Sequence, residues 1–332
     1  MNIKTKIFTL ILLLFNIGLK GQQLPIYSQY VMNKFLLNPA VAGYDGYTSV
    51  NLTARDQWLG FVNSPRTFAI SGQTRLLGDV RILRGRRVKK NPEKAAWMKG
   101  IGLGGCLHND RNGIINRTGL QFTYAYHINL NNESQLSLGL AGTCFQFTID
   151  EGDAVLTDTD DPLLNGMKRV FFVPDANFGV YITNDILYAG LSVSQLFGSY
   201  VKMGKMKYSN YRMLRHYYLT AGCRFYFEND FKVEPSILIK TTKNNLQVDI
   251  SSKFYYRDDY WGGISYRTNS ALIFMTGIKV NKFYFGYAFD VTLSNIKKYS
   301  SGSHEIIIGS KFGEDNIRRK RWLRKDVKTY GD

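Results

Sequence analysis

Histidines, cysteines and clusters of like charge are the residues of this 332-residue chain whose chemistry is worth testing first. His108, His127, His216 and His304 lie far apart, and no pair has the spacing that puts two imidazoles on one helix face around a metal. Cys106, Cys144 and Cys223 are odd in number and lack the paired spacing of a zinc site or a disulfide scaffold. The run Gly100-Ile-Gly-Leu-Gly-Gly105 imitates a dinucleotide fingerprint, but its glycines alternate along a strand and open no helix. That predicts a strand with a thin face. Asp150, Glu151, Asp153, Asp158, Asp160 and Asp161 supply oxygens without the order of a calcium loop, so they are expected in a solvated loop. No G-x-S-x-G, H-E-x-x-H or P-loop occurs. No catalytic group, metal or cofactor is expected.

The net charge of +17 needs a location before it means anything. It concentrates in Arg81, Arg84, Arg86, Arg87, Lys89 and Lys90, and again in Arg318, Arg319, Lys320, Arg321, Arg324, Lys325 and Lys328 around Trp322. Such runs suit phosphate, lipid head groups or an acidic protein. The N-terminus decides among these by setting the compartment. Lys4 and Lys6 precede an apolar run from Ile7 to Leu19, then Lys20-Gly21-Gln22-Gln23 follows. This reads as a signal peptide over 1–21, because the run is shorter than the ~20 residues a spanning helix needs. An exported chain rarely meets nucleic acid, which leaves lipid and protein.

The elements that must position these residues are strands. Leu120, Phe122, Tyr124, Tyr126 and Ile128 alternate with Gln121, Thr123, Ala125 and His127. A period of two puts every large apolar group on one side, and His127 on the other. The same alternation runs through 231–240, 245–256 and 282–290. About fourteen such segments lie between residues 47 and 312, most of about 9–13 residues, the length that crosses a bilayer at a tilt. An even count lets a barrel close with both termini on one side. Short connections near 129–133, 183–185, 228–230, 257–258 and 281 are expected on the periplasmic side. The longer connections 149–172, 195–212 and 291–302 are expected outside, while 78–98 is long yet periplasmic.

With 22 Tyr and 21 Phe, the apolar face is too bulky to fill a small soluble barrel. Facing lipid removes the crowding, and closure leaves no backbone edge unpaired in hydrocarbon. Tyr217, Phe225, Phe227, Tyr256, Tyr260 and Tyr266 fall near segment ends, where interfacial girdles form. The expected fold is an all-β outer-membrane β-barrel of about 14 antiparallel strands over 47–312. Residues 22–46 lack period two and carry Asn38-Pro39 and Gly43; they form either a lumenal plug or a periplasmic lead-in. Residues 313–332 form a basic periplasmic tail.

Ile26-Tyr-Ser-Gln-Tyr30, Asn38-Pro-Ala-Val-Ala-Gly43, Arg55-Asp-Gln-Trp-Leu-Gly60 and Ser64-Pro-Arg-Thr67 resemble the opening of the PorP/SprF family. Pro174-Asp-Ala-Asn-Phe-Gly179, Gly190-Leu-Ser-Val-Ser-Gln195 and His304-Glu-Ile306 are similar to later landmarks of that family. Asn63 stands where the pattern suggests a glycine, and the 81–99 connection is unusually basic. The resemblance implies a non-enzymatic outer-membrane component of type IX secretion that supports export or surface anchoring of an adhesin or similar cargo, in some members with gliding. It implies two kinds of protein partner: the cargo's C-terminal domain, and periplasmic or lipoprotein parts of the machinery. Arg55, Gln57 and Trp58 are the expected contacts on the outer side, and Arg318, Arg319 and Arg321 on the periplasmic side. The competing reading is a transport barrel for hydrophobic small molecules, similar to outer-membrane fatty-acid transporters; a simple porin is a third.

Overall fold

A computed structural model describes residues 24–61, 63–76, 100–113, 115–130, 134–149, 170–198, 200–202, 210–227, 230–243 and 245–312. The segment expected to be a signal peptide, the basic 81–99 connection, the acidic loop and the C-terminal tail therefore lie outside the described residues. The strands are β1 (Thr48–Asp56), β2 (Arg66–Arg75), β3 (Ile101–Asn112), β4 (Ile115–Asn129), β5 (Gln135–Ile149), β6 (Val170–Thr183) and β7 (Leu187–Ser194). Then come a small hairpin, β8 (Tyr200–Lys202) and β9 (Asn210–Arg212), and the split pair β10 (His216–Cys223) and β11 (Phe225–Tyr226). The chain ends with β12 (Phe231–Thr242), β13 (Asn245–Tyr256), β14 (Tyr260–Arg267), β15 (Ala271–Val280), β16 (Phe283–Thr292) and β17 (Ser303–Phe312).

Successive strands of the ring pair antiparallel, β7 pairing with β10 past the β8–β9 hairpin, and β1 pairs with β17 from Thr48↔Phe312 to Asp56↔His304. β10 and β11 both pair with β12, so they form one stave broken at Arg224. The 15-stranded sheet is thus a closed ring of fourteen staves. The β8–β9 hairpin stands apart, within the connection from β7 to β10. We call the end that carries the starts of β1 and the finish of β17 the terminal end, and the opposite one the distal end.

Alternation decides which face is which. On β4, Leu120, Phe122, Tyr124, Tyr126 and Ile128 point outward and Phe122 is 68% exposed, while Gln121, Thr123, Ala125 and His127 are buried inside. The pattern repeats with Val50, Leu52, Phe68, Ile70, Leu246 and Ile250 outside and Asn51, Thr53, Ser71, Gln247 and Asp249 inside. An apolar band that runs round the whole molecule is far beyond the few hundred Å² that soluble monomers expose. It belongs in lipid. Tyr217, Phe225, Phe227, Tyr256, Tyr260 and Tyr266 are all exposed, and Phe225, Phe227, Tyr256 and Tyr260 join Phe231, Phe283 and Phe312 at the terminal rim. That is a girdle at one interface.

A depth-dependent penalty follows. Phe122→Arg, near the middle of β4, should destabilise the barrel by about 2–4 kcal/mol, whereas Phe283→Arg at the rim should cost about 0–1 kcal/mol. Urea unfolding of both variants in lipid vesicles measures the difference. Equal costs would mean that this band does not sit in hydrocarbon.

Candidate functional site

Residues 24–46 run within the ring rather than beside it. They contact the inner face on nearly every side, from β17 (Glu305) and β16 (Asp290) to β2 (Ser71), β7 (Ser192) and β12 (Glu234). Two short 3-10 turns, Lys34–Leu36 and Pro39–Val41, let the chain coil in this confined space. Asn38 caps the second turn through its side-chain oxygen, which accepts from the Ala40 amide. Its amide nitrogen donates to the Val180 and Leu191 carbonyls. Phe35, Ala40, Val41 and Ala42 pack on Ala125, Tyr181 and Tyr188 in a lumenal apolar cluster.

This approach is possible because the facing wall is thin. A Cβ on Gly102 would strike the Ala42 carbonyl, one on Gly104 would strike the Phe35 ring, and one on Gly139 the backbone of Pro39 and Ala40. Gly102 and Gly104 of the strand read as having a thin face, together with Gly139, thus form the seat of the inserted segment. His127 faces the lumen, where its ring bonds the Ala42 carbonyl at 2.8 Å and the Ser137 hydroxyl at 2.7 Å.

Toward the distal end, the segment is tied by buried charges. Arg55 on β1 bonds Asp290 at 2.7 Å and Glu305 at 3.2 Å, and donates to the Ser28 hydroxyl at 2.7 Å. Glu305 accepts from the Ser28 and Gln29 amides at 2.7 and 2.8 Å, while the Ser28 hydroxyl donates to Asp290. Arg267 completes the network, at 3.0 Å from Asp249 and 3.3 Å from Asp290. These five charged side chains are 1–2% exposed. Nearer the terminal end, Lys34 reaches Glu234 at 3.4 Å. Burial pushes the Lys34 ammonium down to about 7, against the pull of Glu234.

Directly above the Arg55 network, two distal connections are stitched together. Leu59 donates to the Gly302 carbonyl and accepts from the Ser301 amide, each at 2.8 Å, and the Trp58 amide donates to the Ser303 hydroxyl. Trp58 and Asn63 both have positive φ, of 56° each. Asn tolerates the left-handed region, which explains how it stands in for a glycine, whereas a bulky Trp there is strained. Leu59, Phe61, Leu293 and Tyr299 remain exposed on this rim, and Gln57 and Trp58 are half-buried beside them.

The sequence-predicted residues therefore separate. Gln57 and Trp58 stand at the distal rim, but Arg55 turns inward and finds its carboxylates on this chain's own β16 and β17. Arg318, Arg319 and Arg321 lie outside the described residues. Sequence reasoning missed Ser28, Asp290 and Glu305, although Ser28 and Glu305 sit inside quoted motifs. Among the described residues, no three His, Cys, Asp or Glu side chains gather as a metal site.

The model of the type IX secretion system membrane protein PorP/SprF matches residues 19–310. The chain belongs to the PorP/SprF family. With its closed barrel and lipid-facing band, this PorP/SprF protein is an outer-membrane component of type IX secretion. No curated protein sequence matches the chain. Similar solved structures include the Ralstonia pickettii toluene transporter TbuX, at 12% identity and TM-score 0.46 over 90% of this chain and 97% of that one. The P. putida toluene transporter TodX is 8% identical, with TM-score 0.45 over 84% and 93%. The KdgM porin is 10% identical, with TM-score 0.36 over 80% and 99%.

Proposed function

We propose that this PorP/SprF barrel is a non-enzymatic anchor that holds the C-terminal domain of a secreted adhesin or similar cargo at its distal rim. The supporting observation is the stitched pair of connections, 57–65 and 293–302, which presents Leu59, Phe61, Leu293 and Tyr299 to the outside. A rigid rim with exposed apolar side chains suits a protein partner, because its contacts lose little conformational freedom on binding. Trp58 and Gln57 extend that surface. Arg55 acts from beneath, by fixing the base of the first connection.

Within the same reading, residues 24–46 are a plug. A filled lumen leaves the rim as the working surface and counts against a solute route for hydrophobic small molecules. The distal end is then extracellular and the terminal end periplasmic, where Arg318, Arg319 and Arg321 would meet acidic surfaces of the machinery or lipid head groups. A role in gliding would follow if the cargo were a motility adhesin.

Pull-down from solubilised outer membranes tests the rim. Trp58→Ala with Phe61→Asp should weaken cargo recovery by about 2 kcal/mol, roughly thirtyfold in affinity, if the pair anchors the contact. Unchanged recovery from a normally inserted double variant would remove both residues from the site.

A further inference from the structure

The distal network pairs its buried charges; the terminal third of the lumen does not. There, Lys34, Arg224 and Lys253 are buried around Glu234, three cations about one carboxylate, and the other buried charges of this end, Arg75 and Asp45, leave the surplus of two unchanged. Glu234 and Lys253 are direct partners across β12 and β13, and Lys34 reaches Glu234 from the inserted segment. Lys34 also stands 3.3 Å over the Tyr188 ring, with Arg224 5.0 Å from the same ring. Arg224 donates to the Asn184 carbonyl at 2.9 Å. Lys253 is fully buried, 4.0 Å over the Trp261 ring, and among the described residues nothing accepts from its ammonium. A ring face offsets only part of the lost hydration of such a group.

The unsatisfied polar atoms of the neighbouring wall strands are donors. On the terminal stretch of β6, β7, β13 and β14, the buried atoms without partners are the Tyr181 and Tyr188 hydroxyls, the Lys253 ammonium and the Trp261 indole N–H. Every one can donate a hydrogen bond. Surplus positive charge beside unpaired donors is the complement of an anion, and the one unpartnered acceptor beside them, the Gln29 side-chain oxygen that packs with Trp261 against Gly286, is neutral.

We propose that the terminal third of the lumen binds a small oxyanion, of carboxylate or phosphate type, between Lys253 of the wall and Lys34 of the inserted segment. The anion pairs with the ammonium that has no acceptor, takes hydrogen bonds from the neighbouring hydroxyl and indole groups, and bridges wall to segment. It is a second tether, at the opposite end from the Arg55 network. This assignment is independent of the cargo reading, since it concerns the other end of the barrel.

The test uses the full mature barrel in detergent at constant ionic strength, titrated with sodium phosphate, sodium acetate or sodium chloride. A saturable rise in unfolding temperature with phosphate or acetate, beyond that with chloride, is expected. Hydrogen exchange at residues 30–38 should slow over the same concentrations. Phosphate alone acting would identify a phosphate site, and acetate alone a carboxylate site. Lys253→Met should abolish the saturable component, while Tyr188→Phe should weaken the apparent affinity severalfold and keep the fold. Indistinguishable stability and exchange of the wild-type barrel in all three salts would overturn the proposal. So would an oxyanion effect that persists undiminished in Lys253→Met.

Discussion

Arg55→Ala will destabilise the barrel by about 3–5 kcal/mol, the usual consequence of stranding a buried charge. The substitution leaves Asp290 with Arg267 and the Ser28 hydroxyl, and leaves Glu305 with the two backbone amides of Ser28 and Gln29 and no cation. It also removes the donor to the Ser28 hydroxyl, so the loss falls on the inserted segment as well as on the wall. Arg55→Lys should recover part of the loss, because a single ammonium replaces the charge but not the forked geometry that reaches both carboxylates and the serine. Urea unfolding followed by tryptophan fluorescence measures the wall, and limited proteolysis at residues 24–46 measures the segment. A loss below about 1 kcal/mol would mean that water satisfies these carboxylates as well as Arg55 does.

The second large effect separates the segment from the wall. At Gly139, a Cβ would meet the backbone of Pro39 and Ala40; at Gly142, on the same strand, it would meet nothing within 4 Å. Valine suits a strand at either position. Gly142→Val should therefore be silent, whereas Gly139→Val should force the segment away at an overpacking cost of about 1–3 kcal/mol. If residues 24–46 are what closes the lumen, planar bilayers with Gly139→Val will show open-channel steps that wild type and Gly142→Val lack. Silent bilayers from an inserted Gly139→Val barrel would refute the plug.

The strands were legible because lipid and lumen impose a strict period of two, visible at Leu120–Ile128 without any tertiary information. The break at Arg224 and the β8–β9 hairpin were not legible, since neither disturbs nor extends that period. Arg55 shows why the site was only half readable. Its type announced a carboxylate partner, but its partners lie 235 and 250 positions away, and only the ring's register brings them together. Trp58 and Gln57 lie between β1 and β2, a position the period of two already implied, since a connection between two strands has no choice of end. The thin face at Gly100–Gly105 was visible as well; that another part of the chain would fill it was not.

Arg55 and Glu305 are also direct register partners across the junction of β1 and β17, the first and last strands. The ionic contact is therefore a clasp on the seam of the cylinder. Glu305 belongs to the last strand, and its two oxygens accept amides from a segment that precedes the first. The seam of the cylinder and the Ser28–Gln29 stretch thus share one carboxylate, so a defect in either contact strands the same buried charge.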